Sequence, residues 1–312
     1  MKSPIEIVAK AAVKVKLACM SAAVATLMFC PAALAQVEVT VENIIDVRDN
    51  AMTDNNSGLA IDLKFLGDML VDAKAMRVNV DRAIDETGKS IVNNESEESE
   101  SEFEEISFPG HNFTRVNLTL KSPTRQAATI KEISGTLEMF IPDQNSKSTV
   151  TVKNFQEKTG VPISSSVLKY SDIEVLIQKP EDVNQDQCPV DQQATQQEED
   201  SVFASSLTSF FSEIQCGIYA STFASIQQDK SVIILIRDAD SKLKGIEFES
   251  ESGEVILPAG SFAINDSEEE VRVYGFKEKL PSKAQLNLYV FTSESSESVV
   301  KVPFKVVDIP LP

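Results

Sequence analysis

The sequence predicts a mainly β protein, with two β-sandwich (Ig-like) domains joined by an acidic linker and one helical segment. Three observations carry this expectation. Apolar and polar residues alternate between residues 37 and 179 and again from Ser231 onward, which is the period of half-buried strands. The alternating segments are short and bounded by turn-forming residues, as in a sandwich. A single long stretch, within residues 201–230, shows apolar spacings of three and four.

Residues 1–35 stand apart from this pattern and read as a cleavable export signal. Lys2, Lys10, Lys14 and Lys16 face one acid, Glu6, and an uncharged apolar run extends from Leu17 to Phe29. That run is shorter than the ~20 residues a membrane-spanning helix needs. Pro31 then breaks the helix, and Ala33-Leu34-Ala35 supplies the small residues a signal peptidase pocket accepts, so cleavage is expected after Ala35. Neither Cys19 nor Cys30 has the residues of a lipid-attachment motif before it, and there is no twin arginine. The expected location is periplasmic or extracellular.

The segment 36–180 is expected to form the N-terminal sandwich. Val37, Val39 and Val41 alternate with Glu38, Thr40 and Glu42; Leu59, Ile61, Leu63 and Phe65 alternate around Asp62 and Lys64; Met76, Val78 and Val80 share a face. FTRVNLTL, TIKEISGTLEMFI, STVTVKNF and DIEVLIQK continue the series, with a turn at Asp85-Glu86-Thr87-Gly88. The glutamate-dense stretch Asn93–Glu105 holds too little apolar surface to offset its ordering entropy and is expected to be a mobile loop.

Residues 181–230 are expected to be a linker followed by an amphipathic helix. Through Asp200 the composition is Gln, Asp and Glu without period. Phe203, Leu207, Phe210, Phe211, Ile214, Ile218, Tyr219, Phe223 and Ile226 then draw a broad apolar stripe. That stripe could pack on a sandwich, dock on a partner or neighbouring subunit, or enter a membrane. Glu213 and the many hydroxyls argue against a transmembrane span, and the lack of Lys or Arg between Ser201 and Gln228 argues against an anionic membrane surface. The segment 231–312 is expected to be a compact C-terminal Ig-like sandwich, its strands SVIILIRD, KGIEFES, EVILP, EVRVYGF, AQLNLYVFT and SVVKVPFKVVD. The Cys and Trp marks of a true immunoglobulin domain are missing.

Charge and composition exclude several chemistries. Removing the four lysines and one glutamate of residues 1–35 from the 29 basic and 48 acidic residues of the chain leaves 25 against 47, a net charge of −22. Such a surface repels nucleic acid. Cys188 and Cys216 are the two cysteines beyond the signal, and in an oxidising compartment they form a candidate disulfide. With one histidine, His111, in the chain, no zinc spacing arises. Asp238 and Asp240 place carboxylates at i and i+2 in a turn, a weak calcium candidate, but Lys242 and Leu243 stand where an EF-type loop needs an oxygen ligand and a glycine. No other cofactor is expected.

Ser166-Val167-Leu168-Lys169, Lys158-Thr159-Gly160 and Ser171-Asp172 match fragments of the penicillin-interacting enzyme motifs, yet their order is reversed and they are crowded into one predicted loop and strand. They read as coincidence. A hydrolase using paired carboxylates could draw on the many acids, although zero Trp and four Tyr leave few aromatic platforms for a carbohydrate cleft.

The stretches RAIDETGKSIV, LKSPTRQAATIKEISGTLEMFIP, VKNFQEKTG and FKEKLPSKAQLNLYVFTSESSESVVKVPFKVVDIPLP resemble a family of uncharacterised secreted bacterial proteins with β-sandwich domains. The resemblance covers most of the chain beyond residue 35 and implies no activity or catalytic residue. The reading that follows is a secreted, non-enzymatic structural or protein-interaction module of the bacterial envelope, with an unknown protein partner or self-association. The alternatives are an extracytoplasmic hydrolase using paired carboxylates and a calcium-stabilised surface module.

Overall fold

The computed structural model describes residues 37–47, 58–93, 102–106, 109–142, 147–178, 227–266 and 268–312. The expected export signal, Cys188, Cys216 and the stripe from Phe203 to Ile226 lie outside the described residues. The protein is mainly β, and its named strands pair antiparallel around two separate apolar cores.

The first core lies between two sheets. One has the order β1 (Glu38–Val47), β2 (Gly58–Leu66), β5 (Phe113–Leu120). The other has the order β14 (Val299–Pro310), β6 (Thr129–Phe140), β3 (Ala75–Asp85), β4 (Glu104–Glu105). The alternation in β2 does what its period dictates: Leu59, Ile61, Leu63 and Phe65 are all fully buried. Each such side chain contributes about 1.5–3 kcal/mol of transfer free energy. The Phe65 ring meets Phe304 of the opposite sheet edge-on, with centroids 5.4 Å apart. Gly135, in the central strand β6, lets β3 and β14 close in, because a Cβ there would sit 2.1 Å from the Asn79 carbonyl oxygen and 3.0 Å from the Phe304 ring.

The second core lies between a sheet of order β10 (Leu243–Glu249), β13 (Gln285–Val290), β7 (Thr149–Lys153) and one of order β11 (Gly260–Asp266), β12 (Glu269–Gly275), β9 (Ser231–Arg237), β8 (Glu174–Gln178). Its centre is aromatic: Phe248 packs against Phe155, Tyr274 and Phe276 at centroid distances of 5.8, 5.1 and 5.0 Å. Val232, Ile234 and Ile236 of β9 face this core. The alternate residues of the same sheet, Leu176, Ile233, Leu235, Val271 and Val273, are also at most 3% exposed, so β8, β9 and β12 are buried on both faces there.

Four expectations are corrected. A boundary between residues 180 and 181 does not separate the sandwiches, because β7 and β8 pair with β13 and β9 in the second one, while β14 returns to pair with β6 in the first. Alternation reveals which face of a strand is buried but not which strand it will pair with. EVILP is not a strand: Val255 makes one isolated bridge to Glu249, Leu257 is 55% exposed, and the strand that the reading passed over is β11, GSFAIND. The C-terminal end of the acidic stretch is ordered, since Glu104–Glu105 pair with Ala75–Met76 and Phe103 and Ile106 are buried. The S-x-x-K residues lie on a short helix, α1 (Ser166–Ser171), capped by the Ser165 hydroxyl, which accepts the Val167 N–H.

Candidate functional site at the junction of the sandwiches

Several of the ionisable side chains that the fold draws inward gather where the two sandwiches meet. Lys74, just before β3, sends its ammonium to Glu247 of β10 and over the ring of Tyr289 of β13 at 4.7 Å. The Tyr289 hydroxyl donates to the same carboxylate at 3.3 Å. Burial and the adjacent Glu247 and Glu249 charges push the Tyr289 phenol above its ordinary range. Neighbouring apolar residues seal the contact: Ala75, Phe103, Phe140 and Tyr289 form one cluster with Phe291 and Val299 against it.

Residues 102–106 clip the junction from outside. While β4 extends the first sandwich, the Phe103 carbonyl accepts the Lys244 ammonium at 2.6 Å and Glu105 takes the Arg272 guanidinium at 2.6 Å, both from the second. The Phe103 ring lies on Phe291 with centroids 4.6 Å apart, and under the Arg77 guanidinium at 4.7 Å. Burial lowers the pKa of Lys244. Burial also opposes the Arg272 charge, but Glu105, with Glu270 at 2.8 Å, holds it firmly cationic. Burial raises the neighbouring Tyr274 phenol to about 12. These groups answer one another: cations meet carboxylates, a carbonyl or a ring, and the arrangement fastens one sandwich to the other.

The sequence did not single out Lys74, Lys244, Glu247, Arg272 or Tyr289. One signal was present. In EVRVYGF, Arg272 has the same parity as Tyr274, so a charge shares the face of a core aromatic residue.

The weak calcium candidates are occupied by the protein itself. The Asp238 carboxylate accepts the backbone N–H groups of Lys242 and Leu243 at 2.9 and 2.6 Å, and Asp240 pairs with the Lys242 ammonium at 2.5 Å. That geometry is a turn carrying the chain from β9 to β10 in the facing sheet, with Ser241 at φ 50°. The shallow depression beside it, lined by Asp238, Asn265, Glu268, Glu270 and Arg272, encloses about 120 Å³, below the ~300 Å³ of small-molecule sites. Among the described residues no group of three or more His, Cys, Asp or Glu is placed to hold a metal ion. His111 is exposed, with its Nδ1 3.2 Å from the Pro109 carbonyl oxygen. Ser166 and Lys169 are also exposed. No family model, curated protein or solved structure matches the chain.

Proposed function

We propose that this chain is a secreted, non-enzymatic structural or protein-interaction module of the bacterial envelope, in which two sandwiches act as one stiff body. The supporting observation is the junction. Its inward-facing charges fasten the two sandwiches, through Lys74, Glu247 and Tyr289 on one side and Phe103, Lys244, Glu105 and Arg272 on the other. A catalytic site aims such groups at a cleft instead. Among the described residues no helix is long and apolar enough to cross a membrane, in keeping with a body attached through protein contacts.

The whole proposal is tested by expressing the chain with residues 1–35 in place. The expected product lies outside the cytoplasm, begins at Gln36 and gives discrete cross-linked adducts in the intact envelope. Those adducts should weaken when Lys74→Ala and Lys244→Ala loosen the junction. Recovery in the cytoplasm with residues 1–35 still attached would overturn it.

A further inference from the structure

We infer that the outer edge of β11 pairs antiparallel with the same edge of a second copy, joining two four-stranded sheets into one of eight strands. β11 ends its sheet, and among the described residues nothing pairs with its outer side. The direction of its free backbone groups follows from the ladder. Phe276 donates its N–H to the Lys230 carbonyl at 2.8 Å, and Asp238 donates to the Glu268 carbonyl at 3.0 Å, so the even-numbered residues of β12 bond towards β9. The odd-numbered ones, Val271 and Val273, therefore bond towards their partners Ile264 and Phe262 of β11. That leaves the N–H and C=O groups of Ser261, Ala263 and Asn265 pointing outward, on residues that are themselves exposed.

These three residues are self-complementary. With the two-fold axis at Ala263, Ala263 faces Ala263 of the other copy, and Ser261 faces Asn265 in both directions. The six free groups of each edge then find six partners, and Phe262 falls opposite Ile264 on the same face of the sheet. The strand's one ionisable residue, Asp266, falls opposite Gly260, so no like charges meet across the axis. Charge favours the same arrangement. The end carrying Glu268 lies beside the other copy's end carrying Lys277, Glu278 and Lys279, net positive, two strand spacings or about 10 Å away, within the reach of electrostatics at moderate salt.

Three other edges are protected against this pairing. β14 carries Pro303, Pro310, Lys301 and Lys305; β1 has a register shift between Val41 and Asn43; β8 is flanked by bridges from Thr159 and Pro162. β11 has no proline, lysine or shift along its seven residues.

This goes beyond the reading of the chain as an envelope module, since it needs no knowledge of any outside partner. Sedimentation equilibrium of the purified protein should show a dimer that weakens with added salt. Ala263→Pro removes an outward N–H without touching the β12 ladder, so it should weaken the dimer at least tenfold while leaving the melting temperature unchanged. Ala263→Cys places the two new thiols across the axis, about 5.5 Å apart at Cα, within disulfide reach. It should give a covalent dimer under mild oxidation, whereas Ser261→Cys, whose copies lie several residues apart, should not. A wild-type monomer at 100 µM, or equal cross-linking by the two cysteine variants, would overturn the pairing and leave the envelope reading standing.

Discussion

On the outside of the first sandwich, charged side chains are tied across strands. Glu138 takes Arg77 at 2.7 Å and Lys301 at 2.6 Å, Glu132 takes Lys305 at 2.9 Å, and Glu42 takes Arg115 at 2.5 Å. The second sandwich has such ties too, from Arg237 to Glu174 at 3.2 Å and to Glu269 at 2.7 Å, but adds the continuous apolar strand β9, buried on both faces, and the edge strand β11, whose outer side has no strand partner among the described residues. The same architecture is thus finished in two ways. One lobe presents a solvated, ion-laced surface that resists association. The other adds more apolar packing, so its stability rests chiefly on its centre.

The comparison can be broken at its strongest point. Phe248→Ala empties the aromatic centre of the second core and should cost about 3–5 kcal/mol in denaturant unfolding. A smaller loss would mean that the surrounding rings collapse into the space. Glu247→Gln tests whether the lobes melt together, because it leaves the Lys74 ammonium without its carboxylate. The expected loss is about 2 kcal/mol, with one shared transition splitting into two in calorimetry.

Asp85 tests the first lobe alone. Burial opposes its charge, but Thr87, Thr124 and Lys89 donate to it and win, holding the carboxyl well below the usual carboxylate range. A depressed folded pKa contributes stability that is complete above the unfolded value near 4 and is lost as pH falls towards the folded one. Asp85→Asn should therefore cost about 2 kcal/mol at pH 7 and progressively less below pH 4. An equal loss at pH 3 would contradict this. The smallest effect is expected at the ion-laced surface: Lys305→Ala should move the melting temperature by about 1 °C or less.

The legibility of the sequence divides along the same physical line. β2 and β9 could be read directly because burial on one face or on both leaves a period or a continuous run. The pairing of β7, β8 and β14 could not, since register and partner depend on residues far away in the chain. β11 was missed because only Phe262 and Ile264 mark its alternation among small residues, while the bulkier Val255 and Leu257 drew attention to an exposed turn. Phe103 and Ile106 were hidden by the glutamates around them, although two well-placed apolar side chains suffice to anchor so short a strand. The junction was invisible for a related reason: its lysines, arginine and glutamate look like ordinary surface charges until the strands carrying them converge.

The return of β14 to β6 has a consequence for how the molecule is made. Val299 pairs with Phe140 and Pro310 with Thr129, so the first sandwich closes only across a loop of roughly 160 residues. A chain emerging in order from the ribosome holds β1, β2, β3, β5 and β6 long before it holds the strand that completes their sheet. The lobe built first in sequence is thus finished last in time, and the nascent polypeptide stays open until almost its whole length is available.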